Sequence, residues 1–386
     1  MIKLPFEIIQ LLWNCGNNRI EHLDGFAKEF CDATFDIVST SPFVIQANNT
    51  NILLTRDEND PSIENYQYAV LTNKKPRKSD IIKGNIISIR WLKHPNFKNL
   101  QPNEIVASWR GKFLYKKENI QESILGLRAP QLGAIYAFMS KAQIHHGRNI
   151  IVMPTGTGKT ETMLSILIAN QCPKVLITVP SDALRDQISN KFLTLGILPE
   201  FGIVASDCNY PIVGVVKEGM DYNGWYTLIE KSNVIITTMP LITNCESAII
   251  DLFKEKISHL FVDEAHHSEA KTWSEFIDSF DDEKVTLFTA TPFRNDNRRL
   301  RGEFIYNFSL KEAQSQGYYK PIKFIPIREY DLAKADKCIA EVAVNQLRSD
   351  LENEYDHILM ARCSTKQRAK EIMEIYQQYP DLNPVI

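Results

Sequence analysis

The chain has 386 residues, of which 44% are hydrophobic and 24% are charged, and this balance is typical of a folded protein with two or three domains. Its net charge of −3 excludes a general electrostatic attraction for nucleic acid, so any such binding would need a local basic surface. No apolar run approaches the roughly 18 residues of a membrane span, and the N-terminus lacks a signal peptide's apolar stretch, so we expect a cytoplasmic protein without membrane contact.

The first part of the chain, residues 1–124, is predicted to be an accessory domain that mixes helix and strand. Apolar positions up to about residue 32 recur at helical spacing, as at Ile8, Leu11 and Leu12. Beyond residue 34, short apolar runs separated by polar loops predict strands near residues 43–45, 52–54, 68–71 and 86–89. This region contains no recognisable catalytic constellation.

Two features of this region each allow two interpretations. A basic loop, residues 74–78 with Lys83 nearby, is either a solvated hairpin tip or a contact for phosphate. Trp91, Trp109 and Tyr115 lie among basic residues and are either core side chains of short strands or a platform for stacking bases.

Residues 150–160 carry the strongest chemical signal. They predict a buried strand that turns through two glycines into Lys159 and Thr160 at the start of a helix. The backbone N–H groups of such a turn curl around phosphate oxygens at the positive end of the helix. Lys159 would meet the β- and γ-phosphates of a nucleotide, and the Thr160 hydroxyl would ligate Mg²⁺. The strict pattern has glycine where Met153 stands, and a glycine turn without function is the alternative.

A second signal follows the apolar run of residues 259–262, which ends in Asp263, Glu264, Ala265 and His266. A carboxylate at the carboxyl end of a parallel strand faces the ligand crevice of an open α/β sheet. Asp263 could there hold the Mg²⁺ that Thr160 also ligates. Glu264 could polarise the attacking water.

A third signal is Thr-Ala-Thr-Pro-Phe-Arg at residues 289–294, directly after a strand-like run. A phosphate loop, then Asp-Glu-Ala-His, then Thr-Ala-Thr-Pro resembles superfamily 2 helicases and translocases of the DEAH type. The resemblance covers residues 125–328. It implies an α/β fold there, a RecA-like P-loop parallel sheet with helices on both faces. Residues 329–386 would form a linker helix and the incomplete start of a second RecA-like domain.

The resemblance also implies ATP and Mg²⁺ as cofactors and assigns roles to individual residues. The residues implied in catalysis are Lys159, Asp263 and Glu264. Those implied in holding ATP are Arg128, Gln131, Thr155, Gly156, Thr157, Gly158, Lys159, Thr160 and Glu161, with Gln131 on the adenine. Thr160 and Asp263 would bind the metal. Coupling of hydrolysis to strand binding would fall to His266, Thr289 and Thr291, and nucleic-acid contact to Pro180, Ser181, Thr237 and Thr238.

The last part of the chain resembles the exit from the first motor domain and the opening of a second. We expect strands at residues 323–327 and 357–361, a long amphipathic helix through Ile339 and Leu351 between them, and a helix over residues 366–379. The arginine-bearing motif that completes the ATP site in this family does not follow. These residues are either the front part of a longer protein or a truncated form with an incomplete motor. We expect the former, because a domain that ends after one strand and one helix would leave sheet edges and an apolar face uncovered. In either case we expect them to hydrolyse ATP poorly alone.

The predicted function is an ATP-dependent helicase or translocase acting on nucleic acid, DNA rather than RNA. The preference for DNA rests on the resemblance of residues 289–294 and 306–319 to motors of restriction and defence systems. Within that set, the N-terminal region and the segment around Gln131 resemble the helicase subunit of Hachiman-type antiphage systems. The alternative is a nucleotide-gated scaffold that signals to a partner nuclease without unwinding. A motor carrying its own nuclease is disfavoured, because residues 1–125 lack a convincing carboxylate cluster with a nearby lysine.

Overall fold

The computed structural model describes residues 2–141, 144, 147–267, 271–291, 300–320 and 323–386. The chain divides into two compact units, Met1–Tyr319 and Lys320–Ile386. The domain boundaries predicted from the sequence, after residues 124 and 328, stay predictions.

The strands lie in the first unit. In chain order they are β1 (Glu7–Cys15), β2 (Asn18–Phe26), β3 (Asp36–Thr40), β4 (Phe43–Ala47), β5 (Thr50–Thr55), β6 (Tyr68–Thr72), β7 (Ser88–Lys93), β8 (Asn149–Val152), β9 (Val175–Val179), β10 (Ile212–Val215), β11 (Val234–Thr238), β12 (His259–Val262), β13 (Val285–Thr289) and β14 (Glu303–Asn307).

Helices alternate with the later strands, and two of the described helices lie in the second unit. They are α1 (Lys78–Ile82), α2 (Pro102–Ser108), α3 (Ala129–Lys141), α4 (Lys159–Ala169), α5 (Asp182–Thr194), α6 (Tyr222–Lys231), α7 (Met239–Thr243), α8 (Ser247–Lys256), α9 (Lys271–Asp278), α10 (Leu310–Ser315), α11 (Leu332–Glu352) and α12 (Lys366–Tyr376).

The main sheet is the α/β, RecA-like part of the fold that the sequence predicts. Its nine strands lie in the order β1-β2-β10-β11-β9-β12-β13-β8-β14, and every pairing from β10 to β14 is parallel. Strands β8, β9, β11 and β13 are buried along their whole length. Continuous burial of parallel strands requires cover on both faces, which the crossover helices supply.

The N-terminal residues correct one prediction. The helical pattern expected up to residue 32 is wrong, because β1 and β2 form an antiparallel hairpin and β2 pairs antiparallel with β10 of the main sheet. Apolar residues at positions 8, 11 and 12 fit a helical period, but the turn through Gly16 and Asn17 and the open edge of β10 favour a hairpin. Six hydrogen bonds among the described residues hold its tip to the loop after β10, and four of these involve Glu218.

A second, smaller sheet lies within residues 36–93, where the sequence predicts short strands. Its order is β3-β4-β5-β6-β7, and one pairing, β5 with β6, is parallel. The predicted runs at residues 43–45, 52–54 and 68–71 lie in β4, β5 and β6. The run at 86–89 overlaps the start of β7.

The proposed aromatic platform is not formed by its two tryptophans. Trp91 and Trp109 are each 1% exposed, and their indole N–H groups donate to the carbonyl oxygens of Pro5 and Asn209. Tyr115 alone is exposed, and it stacks on Tyr136 with ring centroids 5.1 Å apart. The core interpretation of the tryptophans is therefore correct, because their large apolar surfaces fill the two sheets' cores.

The second unit contains the helices α11 and α12 that the sequence predicts. The strands expected at residues 323–327 and 357–361 are wrong, since both segments lack regular secondary structure. A strand needs a partner for its backbone groups, and in the described part of this unit no strand is available to pair with either segment. Ile358 is accordingly 87% exposed. Among the described helices of the whole chain, none has the length and apolarity to cross a membrane.

Candidate nucleotide-binding site

The parallel strands bring every predicted site segment to one edge of the main sheet. The carboxyl ends of β11, β9, β12, β13 and β8 lie side by side in that order. Thr238 and Thr289 are the last residues of β11 and β13, and the loops after β9, β12 and β8 hold Pro180, Asp263 and the phosphate loop respectively. This edge is where open α/β sheets bind ligands.

The phosphate loop joins β8 to α4 as the sequence predicts for a strand, a turn and a helix. Gly156 and Gly158 adopt positive φ angles of 81° and 95°, which side chains other than glycine rarely tolerate. Gly158 directly precedes α4, so the loop's N–H groups stand at the helix's positive end. The Thr157 side chain is buried, and its hydroxyl donates to the carbonyl of Pro154, which fixes the turn.

Met153, which replaces the glycine of the strict pattern, belongs to the core. Its side chain is fully buried, its N–H donates to the carbonyl of Thr289, and its sulfur lies 3.7 Å from the Thr162 hydroxyl. The departure from the pattern is therefore accommodated without altering the turn that follows.

Two residues that precede the phosphate loop in sequence, Arg128 and Gln131, contact it directly. The Arg128 guanidinium donates to the carbonyl of Gly156 at 2.9 Å. Gln131 is buried. Its side-chain oxygen accepts from the Arg128 N–H at 2.8 Å, and its nitrogen lies 3.4 Å from the carbonyl of Gly158. Both side chains thus lie beside the phosphate loop, while the contact of Gln131 with adenine stays a prediction.

The acidic pair after β12 faces the loop's lysine. Lys159 Nζ lies 3.0 Å from Glu264 Oε1, and both side chains are largely shielded from solvent. Asp263 is buried, and one of its oxygens accepts from the Glu264 N–H. Glu264 has a φ of 49°, a left-handed conformation that turns the chain sharply at the strand's end.

Burial raises the pKa of the Asp263 carboxyl to about 6, and the neighbouring Glu264 charge adds to the rise while Lys159 opposes it. A buried carboxylate with a raised pKa gains from a nearby cation. Asp263 and Thr160 both line the same cleft, and the only polar atoms of their side chains are oxygens. Mg²⁺ typically takes one or two carboxylates together with substrate phosphates, so these two residues fit such an ion.

The cleft itself has a volume of about 800 Å³. One wall is the phosphate loop with Asp263 and Glu264, and another is the irregular hairpin of residues 118–126. Glu161, at the start of α4, also lines it and pairs with Lys191 of α5 at 2.5 Å. Thr155 is exposed at its mouth. The volume suits a nucleotide, which typically occupies a cleft of about 300–1,000 Å³.

The predicted coupling residues form a hydrogen-bonded link behind the acids. His266 Nδ1 lies 3.2 Å from the Thr289 hydroxyl and 3.3 Å from Glu264 Oε2. The Thr289 hydroxyl donates to the carbonyl of Thr291 at 2.9 Å. Pro292, Phe293 and Arg294 lie outside the described residues.

The predicted nucleic-acid residues stand at the same edge but differ in exposure. Ser181 is exposed, and its hydroxyl accepts from the Leu184 N–H as the cap of α5. Pro180 is half-buried, and Thr238 is buried, with 8% of its surface exposed. The Thr237 side chain is fully buried within the sheet, so its hydroxyl cannot reach a strand in this arrangement. A central parallel strand buries both its faces, which is the physical reason.

Three residues that the sequence does not single out also contact the site. The Tyr318 hydroxyl donates to Glu118, and its ring lies 5.6 Å from the Arg128 guanidinium carbon. The Tyr319 hydroxyl oxygen lies 3.2 Å from the point where a Cβ on Gly156 would stand. These tyrosines follow α10 and are about 160 residues from the loop in sequence, so only the Gly-Tyr-Tyr run itself could have indicated them.

Comparison with known proteins gives one family match and several distant structural likenesses. Solved structures that resemble the chain include the UvsW helicase from bacteriophage T4, at 14% identity over 50% of this chain and 62% of that chain with a TM-score of 0.32. The Hef helicase domain of Pyrococcus furiosus has 21% identity over 65% and 54%, with a TM-score of 0.35.

A nuclease-deletion mutant of the type ISP restriction-modification enzyme LlaGI, in complex with a DNA substrate mimic, has 19% identity over 66% and 24%, with a TM-score of 0.36. The chain thus spans less than two thirds of each of these three structures. At TM-scores this low the likenesses carry no argument about function. No curated protein matches the chain.

The family match covers the segment that builds the site. Residues 124–294, less than half of the chain, match the family described as type III restriction enzyme, res subunit. The matched segment begins just before Arg128 and ends just after Thr291. It therefore contains the phosphate loop, the acidic pair and the coupling residues. The match supports a superfamily 2 helicase-like family for this segment.

Proposed function

We propose that the protein is an ATP-dependent helicase or translocase of the DEAH type that moves along DNA. One observation carries the proposal. A single cleft unites a glycine loop at the start of α4, the ammonium of Lys159 and two adjacent acids from β12. Loop, lysine and acidic pair are the parts that P-loop hydrolases use to bind and cleave a nucleoside triphosphate.

The residues divide the work of hydrolysis among them. The N–H groups of the loop and the Lys159 ammonium bind the β- and γ-phosphates. Glu264 orients a water whose oxygen bonds to the γ-phosphorus while the bond to the bridging oxygen breaks, and it accepts the water's proton. Mg²⁺, when bound at Asp263 and Thr160, would neutralise charge on the β- and γ-oxygens. The products are ADP and inorganic phosphate.

Movement requires that binding and hydrolysis of ATP change how tightly the protein holds the nucleic-acid strand. Glu264, His266 and Thr289 form a continuous series of contacts along the edge of the sheet. Ser181 follows β9, and Thr238 ends the neighbouring strand β11, so both stand at the edge where we place the strand of nucleic acid. We assign Gln131 to the adenine base and Arg128 to holding the loop. The matched family is described as a subunit of a type III restriction enzyme, which supports a role in restriction. We propose in addition a role in antiphage defence and a nuclease or effector subunit as partner.

The test is nucleotide binding and turnover by the chain, with single-stranded DNA, duplex DNA or RNA added in parallel. The proposal expects ATP to bind, hydrolysis to be slow and to depend on Mg²⁺, and DNA to raise that slow rate more than RNA does. Absence of ATP binding would overturn it. ATP that binds tightly and activates a partner nuclease without being hydrolysed would instead support the nucleotide-gated scaffold.

A further inference from the structure

The small sheet carries a basic surface that the nucleotide site does not use. Residues 73–98 contain eight lysines and arginines against one acid, Asp80, although the whole chain has a net charge of −3. Three of these cations are paired: Lys74 with Asp80, Arg90 with Glu58 and Lys93 with Glu64.

Four other cations, which we call the basic surface, are exposed and lie around α1: Lys75, Arg77, Lys78 and Lys83. Within the described part of the chain none of the four forms an ion pair with an acid. Their charge is therefore directed to solvent or to a partner.

The segment that presents the basic surface is held in a fixed shape. The Thr72 hydroxyl donates to the carbonyl of Lys74 at 2.7 Å, and Pro76 is buried. The N–H of Asn73 donates to the carbonyl of Ile87, and its side chain accepts from the N–H of Ile87, both at 3.0 Å. A preformed arrangement of charges binds with less ordering cost than a flexible tail.

The chemistry around the basic surface decides which nucleic acid it fits. Single-stranded nucleic acid is usually held by bases stacked on exposed aromatic rings. The two aromatic residues of this segment, Trp91 and Phe97, pack instead against the core of the small sheet. Lysine and arginine without such rings contact the phosphates of a duplex, which carries about one charge per 1.7 Å of its axis.

Exposed apolar residues lie beside the cations, a combination that is also found on membrane-binding helices. Ile82 and Ile87 are 71% and 63% exposed. The helix that carries Ile82 has five residues, which is too short to form an apolar face lying along a lipid surface. Two isolated isoleucines can lie against the sugars of a groove, and the phosphates on either side then meet the lysines.

We infer that Lys75, Arg77, Lys78 and Lys83 form an accessory, sequence-independent binding site for the phosphate backbone of duplex nucleic acid. The site lies on the five-stranded sheet, which shares no strand with the sheet that carries the nucleotide cleft. It would retain the duplex while the motor edge binds and releases its strand. The inference rests on the proposed function only in taking nucleic acid as the partner.

The test compares two variants that each remove four positive charges. One replaces the four cations of the basic surface by glutamine. The matched control replaces Lys28, Lys231, Lys271 and Lys311, which are exposed elsewhere on the first unit. Binding of a fluorescent duplex and of a single strand of the same length is measured by anisotropy over a salt series. Thermal unfolding of both variants establishes that they are folded.

Each phosphate contact contributes about 0.9 to the slope of log affinity against log salt, so the basic-surface variant should lose about 3 to 4 units of slope. Duplex affinity at low salt should fall by at least about tenfold, while single-strand affinity and the control variant change by less than about twofold. Equal losses in both variants, or no loss in either, overturn the inference. Binding to anionic lipid vesicles that exceeds binding to duplex also overturns it.

Failure of this inference and failure of the proposed function give different results. Binding of a fluorescent ATP analogue should be the same in the basic-surface variant and the unaltered chain. If the analogue binds and the duplex slope is unaffected, the motor function stands and the accessory site is wrong. If the slope falls as expected but the analogue does not bind, the accessory site stands and the motor function is wrong.

Discussion

The ammonium of Lys159 and the carboxylate of Glu264 lie 3.0 Å apart across the nucleotide cleft. Each group therefore neutralises the other in this structure. Under the proposed function, an incoming triphosphate must attract the lysine away from the acid, and the same movement frees Glu264 to orient water. Nucleotide binding and activation of the water are thus linked by one ion pair.

Glu264→Gln should retain ATP and abolish hydrolysis. The amide keeps the shape of the carboxylate but cannot accept a proton from water, and loss of a positioned base typically slows a reaction by about 10²–10⁴-fold. Because the ion pair with Lys159 is weakened, ATP affinity should be unchanged or higher. Fluorescent-nucleotide titration and phosphate release measure the two effects. Glu246→Gln, on the surface, is the control, and normal turnover by Glu264→Gln would remove Glu264 from the mechanism.

Lys159→Ala should instead weaken the binding of ATP. Three cations among the described residues line the cleft, and the two besides Lys159 are engaged elsewhere: Arg128 donates to the carbonyl of Gly156, and Lys191 pairs with Glu161. Equilibrium titration with ATP should show at least a tenfold weaker affinity, about 1.4 kcal/mol. Affinity equal to that of the unaltered chain would contradict the assignment of the phosphate loop.

Gly158→Ala should weaken nucleotide binding and lower the free energy of unfolding. A Cβ at this position would stand 2.1 Å from the Gln131 side-chain nitrogen, and its φ of 95° strains any residue with a side chain. Gly219→Ala is the matched control, because nothing lies within 4 Å of its Cβ position and its φ is not positive. Denaturant unfolding of the two variants should differ by roughly 1–3 kcal/mol. Equal stability would show that the loop relaxes freely.

The sequence predicts the local geometry of the candidate site well because its signals are local. A strand, a glycine turn and a helix are contiguous in residues 149–169, and strand-end acids need only the neighbouring apolar run to be recognised. The N-terminal hairpin is missed because its secondary structure depends on β10, which lies nearly 200 residues away. The edge of β10 can form hydrogen bonds with a strand but not with a helix. The contact of Tyr318 with Arg128 is missed for the same reason.

The incorrect strands at residues 323–327 and 357–361 illustrate the opposite case. Apolar composition favours a strand at both places, but a strand exists only where another pairs with it. Local pattern therefore gives the candidates for secondary structure, and distant pairing decides among them. Thr237 shows the same limit for function, since its motif suggests a surface contact while its central strand buries the side chain.

Thr289→Val should abolish the effect of nucleotide binding on nucleic-acid affinity. The valine has nearly the same shape, but it removes the hydroxyl that lies 3.2 Å from His266 and donates to Thr291. Allosteric coupling typically amounts to about 1–3 kcal/mol, so the change in DNA affinity caused by a bound ATP analogue should fall toward zero. Affinity for each ligand alone should be nearly unchanged. Undiminished coupling in the variant would exclude Thr289 from the link.

His259 gives a prediction about acid stability. Burial lowers the pKa of its imidazole from 6.5 to about 4. Its Nε2 accepts from the Asn170 side chain, and its Nδ1–H donates to the Ser258 hydroxyl, which itself donates to the carbonyl of Lys174. Both ring nitrogens thus have hydrogen-bond partners when the imidazole is neutral. A proton added to Nε2 would point at the Asn170 side-chain NH₂, which is itself a donor.

The direction of this pH effect depends on whether the folded or the unfolded chain binds the proton more tightly. Between pH 6.5 and about 4 the unfolded chain holds a proton on this residue and the folded chain does not, so stability falls as the pH is lowered. The loss approaches a few kcal/mol, on the order of 1.4 per unit of pKa shift. His259→Gln can keep a hydrogen bond to Ser258 without titrating, so urea unfolding of this variant should show a shallower fall over that window. Parallel pH profiles for the variant and the unaltered chain would show that His259 does not contribute.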